Sequence, residues 1–306
     1  MATVVGRRQA SGGGRGFALL TVAPATLLLV GISVFPLLWA LRLSFMQDSL
    51  LAVAQPRFIG VSNYVHLFHD SLFWTSLGVT VVFAASVITV QLVVGLAIAL
   101  ALDRLPRYQQ VIATILLIPS ILSPSVVSFQ WRQLFDYNSG VLNYVLGLLH
   151  LPLQGWTASA RGALPALVLV DFWEWTPFMV LLIFAGIKSL PKSVFEAARV
   201  DGSSGWQVIA FHTIPMLRRV IAIAVILRLI AAFKIFDIIY VLTAGGPGTS
   251  TESLAFYNYV QGFRYFDLGY ATAMAFITLI LITVLARVIL GFMERPVGRA
   301  AAQAAG

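Results

Sequence analysis

Six long apolar stretches restrict this chain before any other feature applies. A helix needs about 20 mainly apolar residues to cross the hydrocarbon of a bilayer, and the bilayer offers backbone polar groups no water to bond to. The stretches cover approximately residues 17–45, 73–102, 110–134, 164–187, 220–243 and 270–293. The expected fold is therefore an all-α membrane protein with six transmembrane helices. Composition agrees: 59% of the residues are hydrophobic and 10% are charged, against roughly 25% charged in a soluble domain. The first stretch is too long for a signal-peptide core and has no convincing small-residue cleavage site, so it is expected to be a retained span.

Lys and Arg concentrate in cytoplasmic loops. With the N-terminus inside, the cytoplasmic segments hold Arg7, Arg8, Arg15, Arg104, Arg107, Lys188, Lys192, Arg199, Arg218, Arg219, Arg295 and Arg299. The outer loops then hold only Arg57, Arg161 and Arg264. This imbalance places both termini in the cytoplasm and accounts for the net charge of +8 without invoking nucleic acid. Residues 1–16, rich in Gly, Ser and Arg, read as a disordered basic tail near anionic headgroups, and residues 294–306 as a second cytoplasmic tail. On the outside, Phe58, Val61, Tyr64, Val65 and Phe68 fall at helical spacing and predict an amphipathic surface helix packed over the bundle.

The chain has no cysteine, which excludes disulfides, thiol catalysis and Cys-ligated zinc. His66, His69, His150 and His212 are scattered and suggest no metal site. "AGGPGTS" at 244–250 is glycine-rich but lacks the G-x-x-x-x-G-K-[ST] arrangement that cradles phosphates, so no nucleotide site is expected. Neither H-E-x-x-H nor G-x-S-x-G occurs, which ranks a membrane-embedded enzyme last.

The cytoplasmic segment "FEAARVDGSSGWQVIAFHTIPMLRR", 195–219, interrupts the apolar pattern. Ser193 is placed to cap a short helix, with Glu196 three residues on to complete a capping box. Ala197 and Ala198 are small and leave room for another surface. "DGSSG" is turn chemistry around Gly202, and a second amphipathic piece, 206–213, leads through Pro215 to the fifth span. Physics alone leaves an ordinary interfacial helix or a docking knob for a soluble partner.

These residues resemble the EAA loop of binding-protein-dependent ABC importer permeases, whose pattern is E-A-A, three residues, G, nine residues, then I-x-L-P. Glu196, Ala197, Ala198, Gly202 and Pro215 match at that spacing, and Asp201 matches the D-G form of sugar permeases. His212 and Ile214 depart from it, standing where the family has Ile and Leu. A second stretch, 232–275, is similar to the fifth span, outer loop and start of the sixth span in the carbohydrate-uptake (maltose, glycerol-phosphate and polyol) branch. The resemblance implies a permease domain over 17–293 with a coupling loop at 188–219, in the cytoplasmic membrane of a bacterium or archaeon. It implies coupling contacts at Glu196, Ala197, Ala198, Asp201, Gly202, Trp206 and Pro215. The implied partners are a second homologous permease, two ATPase subunits that use ATP and magnesium, and an extracytoplasmic solute-binding protein. The chain itself would bind no cofactor and catalyse nothing.

Charged side chains at membrane depth cost at least ~2.5 kcal/mol and face a partner or a water-filled cavity. Asp171 and Glu174 share one face of the fourth span, and Lys234 and Asp237 are likewise three apart in the fifth. With Trp131, Tyr240, Trp173, Trp175 and Phe236 they form a candidate substrate pathway, in which carboxylates and an ammonium replace water around sugar hydroxyls. The other reading is structural: Lys234 pairs with Asp237, Asp171 or Glu174 and ties the two spans together. Arg228 is expected in a helix interface, and Pro119, Pro124 and Pro177 are expected to kink spans three and four. A proton-coupled secondary transporter, with Asp171, Glu174 and Asp237 as relay, is the alternative function.

Overall fold

A computed structural model describes residues 13–48 and 56–294. The basic tail expected at 1–16 and the tail expected at 294–306 lie almost entirely outside these residues. The described chain is helical apart from a two-residue antiparallel pairing of β1 (Met46–Gln47) with β2 (Arg57–Phe58). Its helices are α1 (Gly13–Leu43), α2 (Ser62–His69), α3 (Ser71–Asp103), α4 (Gln109–Ile121), α5 (Pro124–Leu134), α6 (Val141–Leu148) and α7 (Ala160–Lys188). They continue as α8 (Lys192–Val200), α9 (Gly205–Val208), α10 (Ile214–Phe233), α11 (Asp237–Leu242), α12 (Leu254–Tyr259) and α13 (Leu268–Glu294).

Among the described residues four helices are long and apolar enough to cross a membrane, within α1, α3, α7 and α13. The third expected span is not one straight helix: α4 and α5 meet at 88°. Pro124 supplies the reason, because its ring disfavours helical geometry at Ser123, which is extended at ψ 132°, while Pro is well tolerated at the start of α5. The fifth expected span also differs. α10 has the length to cross, about 30 Å, but carries Arg218, Arg219 and Arg228, and the helix stops at Phe233 and restarts only at Asp237.

α3 and α7 form the most extensive helix pair, and they run parallel. Gln91 meets Asp171, a Cβ on Gly95 would stand 2.9 Å from Met179 Cγ, and Asp103 pairs with Lys188 at 2.8 Å. Both partners' numbers rise together. α10 lies antiparallel across them, with Arg228 beside Asp171 and Val220 against Gly186. One apolar core fills the half of the bundle around Phe83, Val87, Leu167, Val170, Phe233 and Ile239. A second fills the other half around Ala99, Met179, Ile183, Leu217 and Ala224.

The surface helix expected over 58–68 is shorter, and it is turned the other way. Phe58 lies in β2, and α2 buries Asn63 and Leu67 while Val61, Val65 and Phe68 are exposed. Asn63 decides the orientation, because its amide donates to the carbonyls of Ser44 and Met46, both at 3.0 Å, and this holds α2 against the end of α1. A comparable role falls to Asn143 in α6. Its amide donates to Tyr137 O and Gln154 O, and its Oδ1 accepts from Gln154 N and Trp156 Nε1, so that one buried side chain closes the segment between α5 and α7.

Asp70, the N-cap of α3, gathers three helices at this end of the bundle. It accepts from Leu72 N at 2.8 Å and from the hydroxyls of Tyr257 and Tyr270, joining α3 to α12 and α13. Burial works against its ionisation, but the Tyr257 and Tyr270 hydroxyls with the Leu72 and Phe73 N–H groups outweigh it and hold the carboxyl below its ordinary 3.8. A depressed folded value means that the stabilisation is in place above the ordinary value and is withdrawn as pH falls through the folded one. Asp70→Asn should therefore melt earlier than the wild type at neutral pH, and the gap should close as the pH drops below 3.8, read by thermal melts in detergent from neutral pH downward.

Candidate functional site

Between the two apolar cores lies a polar layer drawn from three helices. Arg228 of α10, only 2% exposed, donates through Nε to Gln91 Oε1 at 2.8 Å and through its guanidinium to Asp171 Oδ1. Gln91 of α3 in turn donates to Asp171 Oδ1 at 2.9 Å and to the Asp171 carbonyl at 3.0 Å. Trp175, one turn below Asp171, offers its ring face to Arg228 at 5.3 Å. A buried guanidinium is tolerated only when its charge and its N–H groups are answered together; here a carboxylate, an amide and an aromatic face do so.

Asp171 thus pairs with Arg228, not with Lys234. No ion pair joins Lys234 to Asp237, Asp171 or Glu174 among the described residues, and both Lys234 and Asp237 are exposed. Lys234, Asp237 and Asp171 do come together with Trp175, Arg228 and Phe236 around a small cavity of about 110 Å³. Glu174 does not line it: the side chain is fully buried and its two carboxyl oxygens have no hydrogen-bond partner among the described residues. Trp131 stacks edge-on with Trp173 at 5.9 Å and Tyr240 lies flat against Phe236 at 5.4 Å, both outside the cavity wall. Pro177 leaves α7 unbroken, with Thr176 Oγ1 donating to Phe172 O and Ser120 of α4 to Glu174 O.

Gln91 is the member that the sequence reading passed over. It is uncharged and sits in an otherwise apolar run, and the sign was an amide in the interior of a long apolar span, where polar groups are expensive.

The second candidate site is at the other end of α7. α8 begins at Lys192, so Ser193 lies inside the helix and cannot be its cap; the capping box forms instead at Ser204, whose Oγ and N–H exchange bonds with Gln207 at the start of α9. α8 ends in a Schellman turn: Ser203 N donates to Ala198 O at 2.9 Å and Gly202 adopts φ +75°, a conformation that favours glycine. Glu196, Ala197, Asp201, Gly202 and Trp206 are exposed, Trp206 by 72%. Ala198 faces inward and is buried, so it does not offer the small outer surface expected of it.

From Gly205 to Phe233 the chain is one continuous helix with a π-turn at Ile209–Thr213. Pro215 has no N–H for the Phe211 carbonyl, and the wider turn is closed by Ile214 N on Ile209 O and by Thr213 Oγ1 on Val208 O. Pro215 is thereby an exposed residue in the first turn of α10. Behind this knob is a cavity of about 480 Å³ walled by the ends of α3 and α7, Lys192, Glu196 and Thr213.

A helical bundle with a buried polar layer, a small cavity beside it and an exposed helical knob at one end has the parts of a membrane transport subunit. Residues 91–298 match the family of binding-protein-dependent transport system inner membrane components, and the chain belongs to that family. It is 32% identical over 266 residues to the trehalose/maltose transport system permease protein MalF of Thermococcus litoralis, covering 86% of this chain and 88% of that one. It is 37% identical over 263 residues to the sulfoquinovosyl glycerol transport system permease protein SmoG of Agrobacterium fabrum, covering 86% and 85%. A solved bacterial alginate ABC transporter, in complex with an alginate pentasaccharide-bound periplasmic protein, shares the fold with a TM-score of 0.79. That match covers 92% of this chain and 95% of that one at 21% identity. The chain is thus a multi-pass, non-catalytic permease component of an ABC importer in the cytoplasmic membrane, with the ATPase on a separate chain. This sets aside the proton-coupled alternative.

Breaking a buried pair from one side leaves an unanswered charge, at a cost of about 3–5 kcal/mol. Arg228→Leu should lower the melting temperature of the detergent-purified protein sharply, and Asp171→Leu in the same chain should recover most of the loss, a non-additivity read by a double-mutant cycle.

Proposed function

We propose that this chain is the permease subunit of an ATP-driven importer for a sugar, polyol or glycerol-phosphate-like solute. In this reading it has six spans, with the bent α4–α5 pair as the third, α10–α11 as the fifth and both termini in the cytoplasm. Residues 17–293 are the permease domain, and 188–219 form its coupling loop. α8 is the EAA-type coupling helix, and Glu196 and Ala197 on it, Asp201 and Gly202 in the turn that follows and Trp206 in α9 form the face offered to an ATPase subunit. A second homologous permease, two ATPase subunits hydrolysing ATP with magnesium, and an extracytoplasmic solute-binding protein complete the assembly.

The observation that carries the reading is mechanical continuity. The exposed knob is capped by its own Schellman turn, so it moves as a unit, and the helix that follows runs unbroken from Gly205 to the residues around Arg228. Closure of a nucleotide-bound ATPase dimer would push the knob, and α10 would carry the displacement to the polar layer and the cavity beside it. Asp171, Lys234 and Asp237 face that cavity and supply donors and acceptors for hydroxyls, while Trp131, Tyr240 and Glu174 belong to its surroundings. Support for a carbohydrate comes from the relatives named for trehalose, maltose and sulfoquinovosyl glycerol.

Gly202→Val places a β-branched residue at φ +75° and strains the turn by roughly 1–3 kcal/mol; Glu196→Lys reverses the charge of the exposed face. Each is expected to lose the co-purifying ATPase subunit and ATP-dependent uptake while the permease still reaches the membrane. Uphill solute uptake by the permease pair in liposomes with no ATPase present would overturn the reading.

A further inference from the structure

The structure assigns a second solute-contacting surface. We propose that four aromatic rings, Phe263, Tyr259, Tyr240 and Phe236, form a track along which a carbohydrate passes from the outer side of the molecule to the cavity beside Asp237. The inference rests on the importer reading above and adds a site to it.

The rings are contiguous. Phe263 stacks on Tyr259 at 5.6 Å with an interplanar angle of 22°. Tyr259 meets Tyr240 edge-on at 5.7 Å and Phe236 at 5.0 Å, and Tyr240 stacks on Phe236 at 5.4 Å and 27°. Two chain segments each contribute a pair four residues apart. They are held face to face by Ser253, which caps α12 and donates to Ile235 O at 2.9 Å, inside the break that follows α10. Phe256, buried, backs the row against Phe236.

The row is not wholly core packing: Phe236 and Tyr259 are half-buried, Phe236 against the first apolar core, but Tyr240 is 43% exposed and Phe263 68%. Nor does it suit lipid tails, since two of the four rings carry hydroxyls and Arg264 holds its guanidinium 5.8 Å over Tyr259. What fits is a ligand with one apolar face and a polar rim. A sugar ring has its C–H face and its hydroxyls in that arrangement, so that it can lie on an aromatic face while its hydroxyls stay in water or reach a tyrosine. Continuity settles where the row leads. Phe236, its innermost ring, is also part of the wall of the cavity that Asp171, Lys234 and Asp237 share.

The test uses the assembled complex with its binding protein in proteoliposomes. The probes are radiolabelled maltose, trehalose, sulfoquinovosyl glycerol, sorbitol and glycerol phosphate. Tyr259→Leu and Phe263→Leu keep the apolar bulk and remove the flat face. Each should lower uptake of the transported probe about three- to tenfold, with complete complexes recovered in wild-type yield, and Phe263→Trp should retain uptake. Unchanged uptake in both leucine variants overturns the track and leaves the importer reading intact. Loss of the second permease from the leucine variants also overturns it, by showing that the row is a subunit contact. A wild-type complex that carries none of the probes overturns the track together with the carbohydrate reading.

Discussion

The bond between Arg228 and Asp171, with Gln91 bridging them, is the constraint around which the rest of the bundle is arranged. A guanidinium three-quarters of the way along an apolar helix cannot stay unpaired, and its partners come from two other helices. Three elements are thus fixed in rotation and in height by one side chain. The two apolar cores then pack on either side of this layer. Dispersion and helix packing tolerate sliding far better than a three-way hydrogen-bonded charge does, so the layer sets the register and the cores fill in around it. Replacing the pair by apolar residues of similar volume need not cost stability, which makes register, more than net energy, its contribution.

The proposed coupling knob lies at a different place. α10 reaches the polar layer from the knob without an interruption, and Gly186 allows it to lie close against the lower end of α7, where any Cβ would stand within 2.9–3.1 Å of Val220 and Leu217. α7 and α3 are tied there by Lys188 and Asp103, but both side chains are nearly half exposed, so this link is weak. This end is therefore loosely tied, and the layer between the two cores is tightly tied. If the knob is the coupling element proposed above, a push on it would meet its first tight constraint at this layer, with the segment Lys234 to Asp237 just beyond it.

The sequence was most informative where a single rule applied. Apolar length located α1, α3, α7 and α13 to within a few residues, because nothing competes with the bilayer's demand for about 20 apolar residues. Hydropathy is blind to backbone geometry: the bend at Pro124 was legible only from the proline itself, and nothing in the apolar pattern marked that the fifth stretch stops at Phe233. Hydropathy also turned α2 over: Val61, Val65 and Phe68 form the more apolar face, yet Asn63 is buried because two carbonyls of a distant segment need its amide. In the candidate site, charge at membrane depth singled out Asp171 and Lys234, and the structural reading paired Lys234 with Asp237, Asp171 or Glu174; Asp171 is instead paired with Arg228. The real partner, Arg228, is 57 residues away, and only the antiparallel crossing of α7 and α10 brings it there.

Lys234 and Asp237 have a different account, which follows from the break itself. α10 ends with orphan carbonyls and α11 begins with orphan N–H groups. Lys234 stands at the C-cap of the first and Asp237 in the first turn of the second, so each charge complements the helix end that it occupies. Neither needs the other as an ion-pair partner. Irregular backbone at this depth is tolerated only where it is buried in protein or lines a water-filled cavity, and the cavity is found at this point, with Lys234, Phe236 and Asp237 in its wall. The interruption of the helix, the two exposed charges and the cavity thus occur together: the broken backbone is answered partly by protein, with Ser253 donating to Ile235 O, and partly by the cavity that Lys234 and Asp237 line.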